Sequence, residues 1–310
     1  MKPTVKPLRI GTRGSPLALW QAEWVARALA KAGPGLRTEL VKIRTLAEKF
    51  SEREAVEIGV GIFTRELDEA LLGGEIDLAV HSLKDVPSEL PQGLVLAAVP
   101  KRESPFDCWI SGSALPFDRL PPGARIGTGS PRRKAQLLFA RPDLDVVPLR
   151  GNVATRLRKM TEQGLAGTIL AEAGLHRLGE DRRITEVFGT SRLVPAVGQG
   201  ALGIMTQQSR PELLELLAGL EDAPTRSAVT AERAFLRRLR GGCQVPAGAL
   251  GVVQAGGSVK LEGVVAAPDG SSLVRGEALG SAGEVETMGA MLADDLLERG
   301  GAKILARLRA

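Results

Sequence analysis

The sequence predicts an α/β protein with two similar doubly wound α/β domains around a cleft, followed by a small α+β domain. Apolar strands alternate with helices through the first two thirds of the chain, which is typical of parallel sheets covered on both faces. One strand–turn–helix motif occurs twice, which indicates two related domains. The length of 310 residues also suits about two domains of roughly 150 residues each.

The first domain begins with a strand over residues 8–12 and a helix that starts at Ser15-Pro16 and stops at Gly33-Pro34. Serine at the N-cap and proline at the first helical position are favoured helix starts. The charged stretch 47–60 predicts a surface loop. The alternation continues with strands over 38–43, 76–80 and 94–99 and an amphipathic helix over 63–72.

The second domain repeats the opening motif of the first. Residues 125–131, Arg-Ile-Gly-Thr-Gly-Ser-Pro, match residues 9–16 with one residue fewer. Both copies give a strand, a glycine turn, a serine placed as N-cap and a proline placed at the first helical position. Beyond it we predict strands over 145–149 and 168–171, with Asn152 capping the helix between them.

The third section has a different pattern. Residues 226–240 are helical, and Gly241-Gly242-Cys243 breaks the helix. Strands over 258–265 and 272–279 flank Pro268-Asp269-Gly270, which is a hairpin signal. Helices over 284–298 and 302–309 end the chain, so this section predicts the α+β domain.

The composition is that of an ordinary globular protein, with 44% hydrophobic and 25% charged residues and a mean hydropathy of +0.02. No stretch reaches the ~18 apolar residues that a membrane span needs. The first ten residues lack the apolar segment of a secretion signal. We therefore expect a cytoplasmic protein that does not contact a membrane.

The cysteines and histidines are few, with two of each. Cys108 and Cys243 lie far apart without CxxC spacing, which argues against a disulfide scaffold or a zinc ribbon. His81 and His176 are too few for a histidine metal site. We expect no metal.

The net charge of +5 and the pI near 9.5 are compatible with nucleic-acid binding. Aromatic residues make up only 3% of the chain and tyrosine is absent, so stacking platforms for bases are scarce. A GC-rich genome would explain the excess of arginine equally well. The positions of the arginines must decide.

Arginines concentrate at the predicted turns between strands and helices. Arg132 and Arg133 lie in the first turn of a helix, where the helix dipole disfavours cations unless an anion is present. Arg150 and Arg156 flank the next such turn, and Arg13 lies in the equivalent turn of the first domain. These are the carboxyl ends of strands, where open α/β sheets bind ligands.

The chemistry of these arginines favours a carboxylate ligand. Guanidinium forks match carboxylate and phosphate geometry, but the turn Gly11-Thr12-Arg13-Gly14 is not the GxGxxG phosphate motif, and the sequence has no GxxxxGK(S/T) motif. Pairing of each arginine with an Asp or Glu of the protein itself is the alternative.

Asp85 and Cys243 are the candidate reactive groups. Lys84-Asp85 follows the predicted strand 76–80; in a basic cleft the aspartate stays ionised and can stabilise a cation or exchange a proton with a nitrogen. An ordinary surface turn is the alternative. Cys243 in its glycine turn is either a covalent attachment point or a buried filler.

Six segments together resemble the porphobilinogen deaminase (hydroxymethylbilane synthase) family, in family order and over nearly the whole chain. They are residues 12–22 (TRGSPLALWQA), 81–87 (HSLKDVP), 127–133 (GTGSPRR), 149–156 (LRGNVATR), 193–201 (LVPAVGQGA) and 241–246 (GGCQVP).

The resemblance implies a transferase of tetrapyrrole (porphyrin, heme) biosynthesis. Such an enzyme joins four porphobilinogen molecules head to tail with loss of ammonia and then releases hydroxymethylbilane by hydrolysis. The resemblance also implies a dipyrromethane cofactor attached covalently to Cys243, and Asp85 as the catalytic residue that handles pyrrole nitrogens and the cationic azafulvene. Cofactor binding is implied for Lys84, Ser15, Thr128, Ser130, Arg132 and Arg133, and substrate binding for Arg13, Arg150, Arg156, Arg177 and Gln199.

The family fold also implies that the first domain is completed after the second, by a segment near 194–201 and a helix near 211–217. The expected domains are therefore 1–100 with 195–220, then 101–194, then 221–310. The sequence departs from the family pattern at two places, Thr45-Leu46-Ala47-Glu48 and Gly59-Val60-Gly61. The resemblance implies that the loop between these two segments covers the cleft.

Two other function classes predict different properties. Paired α/β domains around a cleft also describe periplasmic-binding-protein-like solute binders, which need neither Cys243 nor Asp85 and commonly carry an export signal. A nucleic-acid binder would show steep salt dependence and tolerate loss of the cysteine. We expect porphobilinogen as the partner, no nucleic acid, and a monomer.

Overall fold

The computed structural model describes residues 6–33, 35–45, 64–240 and 245–308. Outside the described residues lie Cys243, the predicted surface loop 47–60 and both departures from the family pattern, except for Thr45, which is described. The chain forms two compact units. The first comprises Met1–Arg102 and Ala201–Arg226, and the second comprises Glu103–Gly200 and Ser227–Ala310.

The described elements are numbered in chain order. The strands are β1 (Leu8–Thr12), β2 (Thr38–Lys42), β3 (Leu78–Ser82), β4 (Leu94–Ala98), β5 (Asp107–Ser111), β6 (Arg125–Gly127), β7 (Asp145–Val147), β8 (Gly167–Ala171), β9 (Glu186–Phe188), β10 (Leu202–Gln207), β11 (Ala247–Val253), β12 (Val259–Ala266) and β13 (Leu273–Gly280). The α-helices are α1 (Pro16–Ala32), α2 (Arg65–Leu72), α3 (Pro131–Ala140), α4 (Val153–Glu162), α5 (Glu172–Leu178), α6 (Pro211–Ala218), α7 (Ala223–Arg238), α8 (Val285–Leu296) and α9 (Ala302–Ala306).

The first unit contains a five-stranded sheet in the order β2-β1-β3-β10-β4. β1 is parallel to β2 and β3, whereas β10 is antiparallel to both of its neighbours, β3 and β4. The predicted parallel sheet is therefore wrong for β10, because this strand enters the sheet from far along the chain. Leu213 and Leu217 of α6 pack in one core with Leu8, Ile10 and Ile204.

The second unit contains a sheet of the same design, in the order β7-β6-β8-β5-β9. β6 is parallel to β7 and β8, and β5 is antiparallel to β8 and β9. The registers match as well: Leu202 of β10 pairs with Ser82, the last residue of β3, and Asp107 of β5 pairs with Ala171, the last residue of β8. Leu202 and Asp107 thus occupy equivalent positions in the two sheets.

The predicted helix starts are confirmed. Ser15 and Ser130 cap α1 and α3 by accepting the backbone N–H groups of Ala18 (3.3 Å) and Arg133 (3.4 Å). Asn152 caps α4 in the same way. Each cap satisfies a backbone N–H that has no partner within the helix.

Glycine precedes both turns because neighbouring side chains approach the backbone closely. A Cβ atom at Gly11 would lie 2.3 Å from Cδ1 of Ile76, and one at Gly127 would lie 2.6 Å from Cδ2 of Leu149. Both distances are far below van der Waals contact, so the repeated glycine has a packing cause.

The second unit also contains the antiparallel sheet β11-β12-β13. β12 and β13 form the predicted hairpin, with Gly270 in the left-handed region at φ +74°. Phe235 of α7 and Leu292 of α8 pack against this sheet in one core. The predicted helix over 284–298 instead gives way to a π-helical segment at Leu297–Gly301, where Gly300 has φ +120°.

Candidate active site

Asp85 lies on a one-turn 3-10 helix, Leu83–Asp85, directly after β3. Arg13 lies in the turn after β1, and its Nη2 is 3.2 Å from Oδ2 of Asp85. The two side chains are about a quarter exposed, at 23% and 24%. The prediction placed both residues at carboxyl ends of strands, and the structure pairs them there. Lys84 and Ser15 are also partly buried.

His81 lies within the same segment and is buried at 5% exposure. Burial lowers its pKa to about 3, and the positive charge of Arg13 acts in the same direction. The imidazole is therefore neutral at pH 7. Its Nε2 has no hydrogen-bond partner among the residues that the structure describes.

Arg132 and Arg133 surround Asp107, the first residue of β5. Nη1 of Arg132 is 2.8 Å from Oδ2 of Asp107, and Nη2 of Arg133 is 2.6 Å from Oδ1. The arginine side chains are 5% exposed and the aspartate is fully buried. Burial alone would raise the pKa of Asp107, but the two guanidinium charges outweigh it, so the net shift is downward.

Backbone and amide groups complete the binding of these arginines. Arg132 Nη1 donates to the carbonyl oxygen of Val194 at 2.7 Å, and Arg133 Nη1 donates to that of Ile169 at 2.9 Å. Gln199 is fully buried, and its Nε2 donates to Oδ1 of Asp107 at 3.0 Å. The sequence predicted an anion between the two arginines, and in the structure a protein carboxylate lies there.

Asp107 was missed at the sequence level. The signal was present, because an aspartate heads the otherwise apolar run Asp107-Cys108-Trp109-Ile110, and an acid at the start of a buried strand needs a cation. The alternative of pairing within the protein holds for Arg132 and Arg133, and also for Arg13 with Asp85. It does not hold for every predicted arginine.

Arg150 has no ion-pair partner within the described part of the chain. Its Cγ would lie 2.8 Å from a Cβ atom at Gly129, so the arginine packs over the turn before α3. Arg156 donates from Nε to the carbonyl oxygen of Gly151 at 2.8 Å. Thr128, in the same turn as Gly129, is buried, and its Oγ1 accepts the N–H of Ser130.

Arg177 donates from Nη2 to the carbonyl oxygen of Gly200 at 2.6 Å. Burial lowers its pKa to about 10, and Glu103 opposes this shift. The guanidinium therefore stays charged at pH 7.

Glu232 of α7 is a second residue that sequence reasoning missed. It is fully buried, and its Oε2 and Oε1 accept the N–H groups of Gly198 (2.7 Å) and Gly251 (2.9 Å). Glu232 thereby fixes the loop that carries Gln199 and Gly200, which contact Asp107 and Arg177. A single acid in a helix that also carries four arginines looks like an ordinary surface charge, so the sequence gives no signal for such a contact.

Cys108 is buried, and burial raises the pKa of its thiol to about 12. A thiol that stays protonated is a poor nucleophile. The turn of Cys243 lies outside the described residues, so the structure tests neither of the two interpretations of that cysteine.

Two family models match the chain: "Porphobilinogen deaminase, dipyromethane cofactor binding domain" over residues 8–215, and "Porphobilinogen deaminase, C-terminal domain" over residues 227–298. The chain belongs to the porphobilinogen deaminase family. The resemblance drawn from the sequence is confirmed.

Named relatives agree along nearly the full length. The porphobilinogen deaminase of Pelotomaculum thermopropionicum is 50% identical over 98% of this chain and 97% of its own. That of Desulforudis audaxviator is 52% identical over 97% of both chains. Among solved structures, the methionine-binding protein MetQ matches 69% of this chain and 87% of its own, at 16% identity and a TM-score of 0.44.

Family membership gives the chemistry. The protein is a porphobilinogen deaminase-family transferase of tetrapyrrole synthesis, a hydroxymethylbilane synthase with a dipyrromethane cofactor. The predicted activity and cofactor are thus confirmed. No helix among the described residues is both long and apolar enough to cross a membrane.

Proposed function

We propose that Asp85 is the catalytic carboxyl group of the porphobilinogen condensation and that Cys243 carries the cofactor. The supporting observation is the pairing of Arg13 with Asp85 on the one-turn helix after β3, which orients a partly exposed carboxylate. A carboxyl group in this position can, once protonated, deliver that proton to a departing amine, and the carboxylate that this leaves can stabilise positive charge on a pyrrole nitrogen.

The residues present fit a dipyrromethane. Arg132 and Arg133 share the single carboxylate of Asp107, so this cluster retains positive charge for carboxylate side chains of a ligand. We propose that the cofactor is held by Cys243, Lys84, Ser15, Thr128, Ser130, Arg132 and Arg133. When bound, the cofactor supplies the pyrrole carbon to which the first substrate is joined.

Substrate binding would use the remaining predicted residues. Every porphobilinogen brings an acetate and a propionate group, so a growing chain needs many guanidinium forks. Arg150 supports this role because it has no protein carboxylate within the described chain. We assign substrate binding to Arg13, Arg150, Arg156, Arg177 and Gln199, the last of these through its contact with Asp107.

We also propose that the protein acts as a cytoplasmic monomer and binds no nucleic acid, which the scarcity of aromatic residues supports. We further propose that 101–194 and 221–310 act as separate domains, because the described residues of each range form their own sheet.

The test compares Asp85→Asn with Asp85→Glu by porphobilinogen consumption, after intact mass has shown that both carry the cofactor. Asn removes the charge and the proton, so turnover should fall by about 10²–10⁴-fold, whereas Glu should retain more activity. Circular dichroism checks the folding. Turnover of Asp85→Asn within about tenfold of wild type would assign the step to another residue.

Intact mass also tests the attachment. Wild type should exceed its sequence mass by a dipyrromethane, Cys243→Ser should lack this increment, and Cys108→Ser should keep it. A fully active protein without the increment contradicts the proposal.

A further inference from the structure

The buried cluster of Arg132, Arg133 and Asp107 has unequal hydrogen bonding on its two arginines. Arg133 uses all three nitrogens: Nε and Nη2 donate to Oδ1 of Asp107 and Nη1 donates to the carbonyl oxygen of Ile169. Arg132 uses Nη1 alone, for Asp107 and Val194. Nε and Nη2 of Arg132 have no hydrogen-bond partner among the described residues.

The charges of the cluster do not balance. Two guanidinium groups face one carboxylate, and no other carboxylate in the described part of the chain pairs with them. Oδ1 of Asp107 accepts Arg133 and Gln199, and Oδ2 accepts Arg132, so both oxygens of the carboxylate are already engaged. One positive charge thus remains at about 5% exposure, where an unpaired charge is strongly disfavoured.

We propose that Asp107 is a positioning residue, which neutralises one guanidinium group and leaves one positive charge for a ligand carboxylate on the Nε–Nη2 edge of Arg132. This rests on the proposed function, because the cofactor or substrate supplies the carboxylate. The aspartate need not touch the ligand. It holds the two arginines in one arrangement before the ligand arrives, which reduces the cost of ordering them on binding.

The charge argument can be tested without cofactor in a Cys243→Ser background. There the cluster carries +1 as it stands, +2 with Asp107→Asn, zero with Arg132→Gln, and +1 with both changes. We expect the urea midpoint to be highest for Arg132→Gln, intermediate for the parent and the double variant, and lowest for Asp107→Asn. A lower midpoint for Arg132→Gln than for Asp107→Asn overturns the charge argument.

The positioning role is tested by cofactor loading in the Cys243 protein. The fraction of chains with the dipyrromethane mass increment should fall at least tenfold in both Asp107→Asn and Arg132→Gln, although their stabilities change in opposite directions. A purely structural aspartate would make loading follow stability, and Arg132→Gln would then load normally. Full loading of Asp107→Asn likewise overturns the proposal.

The conservative variant Asp107→Glu separates charge from placement. It keeps the negative charge, so the midpoint should stay near that of the parent, but its longer side chain displaces the guanidinium groups and loading should stay below wild type. Loading equal to wild type means that charge alone suffices and placement does not matter. If wild type itself shows no mass increment, the proposed function fails while the urea series still tests the charge argument.

Discussion

The opening turns of the two units share one backbone design and differ in the chemistry of three equivalent positions. The positions are matched by their distance from the capping serines and by the strand registers. At these positions the first unit has small or apolar residues, and the second unit has a buried charge cluster. The equivalent sets are Leu17, Ala18 and Leu202 in the first unit and Arg132, Arg133 and Asp107 in the second.

The first unit places its own charges differently. The first turn is one residue longer than the second, and Arg13 is the additional residue. Its partner Asp85 follows β3, whereas Asp107 is the first residue of an antiparallel strand. That pair is about a quarter exposed, whereas Asp107 is fully buried. The two units thus use the same residue types differently: the second has a buried cluster in which each charge needs a partner, and the first has a pair that solvent reaches.

The largest change in stability should come from substitutions that convert the second turn stepwise into the first. Asp107→Leu alone leaves two buried guanidinium groups without a carboxylate, and losing one partner of a buried ion pair costs about 3–5 kcal/mol. The triple variant Asp107→Leu, Arg132→Leu, Arg133→Ala copies the first unit. It should recover most of that loss, because apolar replacement of a whole buried ion cluster is often neutral or stabilising.

Urea unfolding of the single and triple variants measures this difference. Some loss should remain in the triple variant, since the carbonyl oxygen of Ile169 loses its donor and an unsatisfied buried group costs about 1–3 kcal/mol. If the triple variant is less stable than Asp107→Leu, the two turns are not interchangeable and the equivalence drawn from register is wrong.

A second substitution makes the first unit resemble the second at a titratable position. By register His81 is equivalent to Leu170, and both side chains are buried. The pKa of His81 is lowered to about 3 by burial, against an ordinary value of about 6.5 in the unfolded chain. The unfolded state therefore binds the proton first on acidification, and stability falls as the pH drops from about 6.5 toward 3.

The variant His81→Leu should remove this contribution. The free energy of unfolding of wild type should fall more between pH 7 and pH 4 than that of the variant, by up to roughly 3 kcal/mol. Carboxylates such as Asp107, whose pKa is lowered, contribute to acid sensitivity in both proteins and cancel in the comparison. Parallel pH profiles for the two proteins would show that His81 takes up its proton at the same pH in the folded and the unfolded chain, which contradicts the lowered pKa.

Local signals predicted the helix starts well because their cause is local. Ser15, Ser130 and Asn152 bind backbone N–H groups three residues away, and the hairpin around Gly270 is set by its own turn. β5 and β10 were not predicted as strands, and their antiparallel direction depends on partners far along the chain. No short window of sequence contains that information.

The candidate site shows the same division. The arginines at the strand ends could be found because the helix dipole makes cations there unusual. Asp107 is visible as an acid at the head of an apolar run but its partners are not, and Glu232 gives no signal at all, because only the fold brings the partners of both residues together. Asp107 lies 25 positions before Arg132, and Glu232 lies 34 positions after Gly198. The activity and the cofactor were predicted from the family resemblance, because composition and charge alone identify neither.

The smallest expected change in stability is at the accessible pair of the first unit. Arg13→Leu removes a guanidinium group that is about a quarter exposed and 3.2 Å from Asp85, and partly exposed ion pairs contribute about 0–1 kcal/mol. The free energy of unfolding in urea should therefore change by less than about 1 kcal/mol. If Arg13 binds substrate carboxylates as we propose, porphobilinogen consumption should nevertheless fall. Arg65→Leu, which removes a surface ion pair to Glu69 within α2, is the matched control and should leave consumption unchanged. A stability loss at Arg13 comparable to that of Asp107→Leu would mean that the first turn is built on a buried cluster as well, and the contrast between the two units would disappear.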